Sequence, residues 1–133
     1  MEISKKMSKK SLIIFSPKEG ITAYDGKGIK PLISAIIKNA TMFQDAFCVD
    51  KVIGIAAALL FVYVKVKAVY ANVISQKAIE VFKNHNITFD YAEKTSFIQN
   101  QDKSDECPME LLCKNITDPE KAYFAIKEKL QIP

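Results

Sequence analysis

The sequence predicts an α/β fold, a mostly parallel sheet with helices on both faces, fronted by one antiparallel hairpin. Short runs of strand-type residues alternate with segments of helical apolar spacing, and the connections between them are short. The chain has 133 residues, 49% hydrophobic and 26% charged, enough for one core but not for a catalytic domain beside a separate binding domain. Expected is one domain over residues 1–133, with residues 99–133 as a C-terminal helical extension.

Ile3 and Met7, four apart, give a short N-terminal helix one apolar face. Leu12 to Phe15 is a compact strand run, Ser16-Pro17-Lys18-Glu19-Gly20 a turn signal, and Ile21 to Tyr24 the returning strand, closed by Asp25-Gly26-Lys27-Gly28. Residues 30–39 read as a helix: Pro31 suits its first turn, and Leu32, Ile33, Ile36 and Ile37 repeat at helical spacing. Ala46 to Val49 is a short strand ending at Asp50. Val52 to Val62 is apolar around its whole circumference, with Gly54, Ala56, Ala57 and Ala58 allowing close approach, and reads as a helix buried on several sides.

Ala68 to Val73 returns to strand type. Ser75 suits an N-cap for the next helix, whose apolar face is Ala78, Ile79 and Phe82 and whose end is marked by Asn84-His85-Asn86. Thr88 to Tyr91 is the last strand. Gln99 to Glu106 is polar and acidic, and Cys107 to Lys114 reads as a short helix. Asp118-Pro119 opens a final helix in which Ala122, Ile126 and Leu130 recur every four residues, with Thr117 and Glu120 at capping-box spacing.

All nineteen basic residues are lysines. Without a guanidinium fork, specific nucleic-acid readout is disfavoured. The net charge is +4, and residues 1–10, with four Lys and one Glu, carry +3 of it, so the body is nearly neutral. Cys48, Cys107 and Cys113 form an odd set without regular spacing, behind an N-terminus that runs from lysines into a strand, and the expected setting is cytoplasmic. The longest uncharged apolar run, Val52 to Val64, is too short for a bilayer core of roughly 30 Å, so no membrane span is expected.

A helix N-terminus behind a buried strand gathers unpaired amides, and ligands of open α/β sheets collect beyond the carboxyl ends of strands. That points to Asp50, Lys51 and Gly54: Asp50 to accept hydrogen bonds, Lys51 to hold negative charge, Gly54 to permit close approach. The structural alternative makes Asp50 a cap, Lys51 a snorkelling side chain and Gly54 a packing device. Asn72, with Ser75, would border the same crevice. Cys107-Pro108-Met109-Glu110 sets a thiol at a helix start, where the dipole lowers its pKa while Asp105, Glu106 and Glu110 oppose that. Cys107 and Cys113, six apart, lie about 240° apart around a helix and make no common metal face. His85 is the lone histidine, which excludes sites needing two imidazoles, and it reads as a helix-end residue.

The order hairpin, helix, strand, helix, strand, helix, strand, with Gly28-Ile29-Lys30-Pro31-Leu32, Asp50-Lys51-Val52-Ile53-Gly54-Ile55-Ala56-Ala57 and Cys107-Pro108-Met109-Glu110, resembles a family of small uncharacterised prokaryotic proteins with a cytidine deaminase-like fold. The likeness runs from Lys9 to Leu130. It implies a three-layer sandwich around a mixed five-stranded sheet with an N-terminal antiparallel hairpin and extra C-terminal helices. Catalytic deaminases of this fold hold zinc with H-x-E and P-C-x-x-C motifs. The matching positions here carry Ile29, Lys30 and Pro31, then Asp50, Lys51 and Val52, so neither zinc nor another cofactor is expected.

The resulting expectation is a zinc-free domain binding a nucleotide, nucleoside or similar small anionic ligand between two helix N-termini, through Lys30, Asp50, Lys51, Gly54 and Asn72. If chemistry occurs, a lysine with Asp50 would form the acid/base pair, and Cys107 and Glu110 would join if the C-terminal segment folds over the mouth. The alternatives are a thiol enzyme or sulfur carrier centred on Cys107, and a non-enzymatic interaction module. A homodimer is a candidate assembly.

Overall fold

The computed structural model describes residues 10–96, 98 and 107–132. The helix expected around Ile3 and Met7 and the acidic stretch Gln99 to Glu106 lie outside the described residues. Strand β1 (Leu12–Ser16) turns into β2 (Gly20–Tyr24), and the Ser16 hydroxyl organises the turn by accepting the amides of Lys18 and Glu19 at 3.3 and 3.2 Å. Helix α1 (Lys30–Asn39) carries Pro31 in its first turn, as its spacing predicts, and runs into a 3-10 turn at Ala40–Phe43. There follow β3 (Phe47–Ile53), α2 (Ile55–Tyr63), β4 (Ala68–Ser75), α3 (Gln76–Asn84), β5 (Thr88–Thr95), α4 (Pro108–Cys113) and α5 (Pro119–Lys129).

The five strands form one mixed sheet in the order β2-β1-β3-β4-β5. β1 pairs antiparallel with both β2 and β3, while β3-β4 and β4-β5 are parallel. The strands run further than expected. Val52 and Ile53, read above as the start of a helix, belong to β3, because they continue its ladder against Val73 and Ile74 of β4. An apolar run can serve strand or helix, and here the available β4 edge decides. By the same parallel pairing β5 extends past Tyr91 to Thr95.

Helix ends follow their caps. The Ser75 hydroxyl accepts the Ala78 amide at 3.1 Å, as its position predicts. At α5 the cap is Asp118, whose carboxylate accepts from Glu120 N at 3.0 Å, and not Thr117 of the expected capping box. Asp is at least as good a cap as Thr, and it directly precedes the Pro that opens the helix.

Among the described residues the helices gather on one face of the sheet, and the expected N-terminal helix lies outside them. α1, α3, α4 and α5 all pack against α2. The crossovers β3-α2-β4 and β4-α3-β5 step in the same direction across the sheet, and right-handed crossovers of that kind deliver their helices to one side. This surrounds α2, whose residues Ile55 to Phe61 are all buried, and explains its apolar circumference. Ala122 and Ile126 of α5 enter the same core, and Tyr123 stacks on Tyr63 with centroids 4.6 Å apart. No helix among the described residues is long and apolar enough to cross a membrane.

Candidate functional site

Asp50 lies inside β3, in register with Leu12 on one side and Ala71 on the other, and both neighbours are buried in the core. Its cross-strand neighbours therefore place Asp50 on the face toward the helices, and Lys51 lines the cavity at the end of the same strand. Between such neighbours the carboxyl is poorly hydrated. Burial pushes its pKa up to about 8, against the opposing pull of the Lys51 and Val52 amides. No lysine among the described residues lies within ion-pair distance of it.

Helix α2 starts at Gly54, which has no side chain to cap it. The cap comes from 55 residues further along the chain: the Glu110 carboxylate accepts Ile55 N at 2.8 Å and Ala56 N at 3.0 Å. Glu110 is only 6% exposed. Gly54 is required for this contact, because a Cβ there would overlap the Glu110 carboxylate. The helix N-terminus that the sequence marks for a ligand anion thus holds the protein's own anion, which satisfies two amides and sits at the positive end of the dipole.

Between the end of β3, the loop 26–29 and α4 lies a cavity of about 310 Å³. Asp50, Lys51, Gly54, Cys107 and Glu110 all line it, so the structure does bring the β3 end and the C-terminal segment together. Lys30 lines a neighbouring cavity of about 540 Å³, which shares the walls Gly26 to Ile29, Cys107 and Met109 with the first. Asn72 is exposed on β4 and borders neither. His85 closes α3 and also lies outside both.

Lys27 and Met109 line the site without having been singled out in the sequence. The signal for Lys27 was the Gly26-Lys27-Gly28 triplet, which reads only as a turn. Its glycines hold φ of +126° and +66°, and a side chain on Gly26 would press on the Pro31 ring. This tight bend keeps the loop against the start of α1.

Cys107 is half-buried on the wall of both cavities. Cys113 is fully buried, its pKa pushed up to about 12 by burial and then by Glu110 and Cys107. Burial, with Asp50 nearby, also pushes the Cys48 thiol up. Brief iodoacetamide treatment of the native protein near neutral pH is expected to label Cys107 alone, since thiolate and access are both needed. Peptide mass spectrometry checks this; labelling of Cys113 at the same rate would show that α4 does not stay docked.

Fold and site define a class: a mixed α/β domain with a cavity at the carboxyl end of a central strand, where a C-terminal glutamate fills the helix N-terminus. The chain belongs to the family described as TM1506, domain of unknown function (DUF1893), which matches residues 2–130. It is similar to the crystal structure of a DUF1893 family protein (TM1506) from Thermotoga maritima, with a TM-score of 0.85 and 28% sequence identity over 96% of this chain and 85% of that one. No curated protein matches it.

Proposed function

We propose that this chain is a zinc-free domain of cytidine deaminase-like architecture that binds a small organic molecule, of nucleobase or nucleoside size, in the cavity beside Asp50. The observation that carries the reading is a cavity of about 310 Å³ holding a carboxyl pushed far from its ordinary pKa. The volume falls at the lower end of ligand sites, at about 300 Å³ and above, and perturbed ionisable groups concentrate at functional positions. The location, at the carboxyl end of β3, is where ligands collect in open α/β sheets. The antiparallel hairpin leading into parallel strands supports the architecture.

The residues do not suit resident zinc. α1 starts with Lys30 and Pro31, and α2 starts at Gly54-Ile55-Ala56, with no thiol or imidazole at either start. Among the described residues no three His, Cys, Asp or Glu side chains are grouped closely enough to hold a metal. Glu110 occupies the Ile55 and Ala56 amides, so those two donors are not open to a ligand, and the charged side chains left on the cavity wall include Lys27 and Lys51.

A thermal-shift panel of nucleobases, nucleosides, nucleotides and common metabolites tests the reading. One chemical class is expected to raise Tm by selective binding to the native state, and Asp50→Asn to abolish the rise. Silence across the panel would overturn it in favour of a thiol function, which the position of Cys107 on both cavity walls supports.

A further inference from the structure

We propose that the ligand of this cavity is a phosphate monoester of nucleoside monophosphate size, its phosphate held at the outer end by Lys27 and Lys30. This rests on the cavity reading above and adds the charged part of the ligand. The inner cavity of about 310 Å³ and the outer one of about 540 Å³ share the walls Gly26 to Ile29, Cys107 and Met109, so one elongated molecule can occupy both. Asp50 lies on the inner wall and Lys30 on the outer one.

The two ends differ in charge. Inside, Lys27 and Lys51 stand against Asp50 and Glu110, two of each sign, and Glu110 is engaged by the Ile55 and Ala56 amides. Outside, Lys27 and Lys30 share the wall with Asp25, which is paired with Lys10 at 3.1 Å. The outer end therefore gathers three lysines around one carboxylate, and that carboxylate is already paired. Neither Lys27 nor Lys30 has an ion-pair partner among the described residues. The backbone brings the two together: with φ of +126° at Gly26 and +66° at Gly28, the loop bends onto the start of α1, and Lys27 of the loop joins Lys30 of the first helical turn on one cavity wall.

This pattern selects among anions. A phosphate monoester carries about −1.5 to −2 near pH 7, whereas a carboxylate or a phosphodiester carries a single charge. Two exposed ammonium groups, compact and rotatable, match the larger charge. With no guanidinium in the chain there is no planar fork, so charge and reach decide here and not the shape of a carboxylate. Between the ends the wall is apolar, with Ile29, Ala56, Ala57 and Met109, and suits the uncharged body of the molecule. A nucleoside monophosphate has these parts in this order: a flat polar head for Asp50, a body for the apolar middle and a terminal phosphate for the lysines.

The common ribonucleosides, their 5′-monophosphates and inorganic phosphate are the probes. Thermal shift and calorimetry are run on the full chain, on the double variant Lys27→Gln with Lys30→Gln, and on Asp50→Asn. Both lysines are exposed, so the double variant is expected to keep the fold, which an unchanged Tm without ligand checks. At least one monophosphate is expected to bind about tenfold or more tighter than its nucleoside, the size of one charge-assisted contact, and to lose that advantage in the double variant and at high salt. The nucleoside itself is expected to bind the double variant as well as the wild type, and Asp50→Asn to weaken both forms. Equal binding of nucleosides and monophosphates, or an undiminished advantage in the double variant, overturns the phosphate site while leaving the cavity as a binding site. Inorganic phosphate that raises Tm equally in wild type and double variant would place phosphate elsewhere and overturns it too. Silence of every probe also overturns it, and silence in the broader panel as well would remove the cavity reading.

Discussion

Replacing Asp50 by Asn is expected to stabilise this protein at neutral pH, by about 2–4 kcal/mol, given about 1.4 kcal/mol for each unit of pKa displacement. The sign follows from the direction of the shift. The carboxyl has an ordinary pKa of 3.8 and is pushed up to about 8 in the folded state by burial. Below about pH 4 both states hold the proton and Asp50 makes no pH-dependent contribution. Between about pH 4 and about pH 8 the unfolded chain has released its proton and the folded one has not, so stability falls as pH rises. Above that window both states are ionised and the slope vanishes. Urea denaturation of both proteins at several pH values checks this. The Asn variant should gain on the wild type steadily across the window, and a difference independent of pH would show that Asp50 titrates normally in the fold. A group that costs stability in this way and still faces a cavity is a candidate for function, since proteins retain such costs chiefly at working sites.

Breaking the Glu110 contact is expected to have a comparable effect in the opposite direction. Glu110→Ala removes two charge-assisted hydrogen bonds, at 2.8 and 3.0 Å, from buried amides of α2. It should cost about 3 kcal/mol, since hydrogen bonds to charged groups contribute about 1.5–3 kcal/mol each and the orphaned amides regain some water. Gly54→Ala should cost about as much by a different route, as its methyl overlaps the same carboxylate and drives α4 off the start of α2. If both act on one contact, the double variant will be little worse than either single one. Chemical denaturation of the three variants measures the coupling; additive losses would mean that Gly54 and Glu110 serve separate purposes. Faster labelling of Cys107 and Cys113 in the single variants would report the undocking directly.

Elements whose signal is local were legible in the sequence. Pro31 and the spacing of Leu32, Ile33 and Ile36 placed α1, and Ser75 placed the start of α3. The hairpin was marked by its Pro and Gly residues. The apolar circumference of Val52 to Val62 announced a buried segment, and Asp50, Gly54, Cys107 and Glu110 were all recognisable as chemically unusual for their surroundings.

What only the tertiary structure decided was partnership. Val52 and Ile53 are strand residues because β4 offers them a ladder, and apolar side chains by themselves do not distinguish a strand end from a helix start. The gathering of the described helices around α2 follows from the strand order, which short-range spacing does not encode. Above all, the sequence exposed Gly54 and Glu110 as separate features, and only folding shows that one is bare so that the other can seat its carboxylate on the helix. Hydrogen bonding across 55 residues depends on where the C-terminal segment packs, and that is settled by burial of Cys113, Ala122 and Ile126 against the core. The same packing brings Glu110 and Cys107 to the cavity wall that Asp50 also lines, where burial raises the carboxyl's pKa.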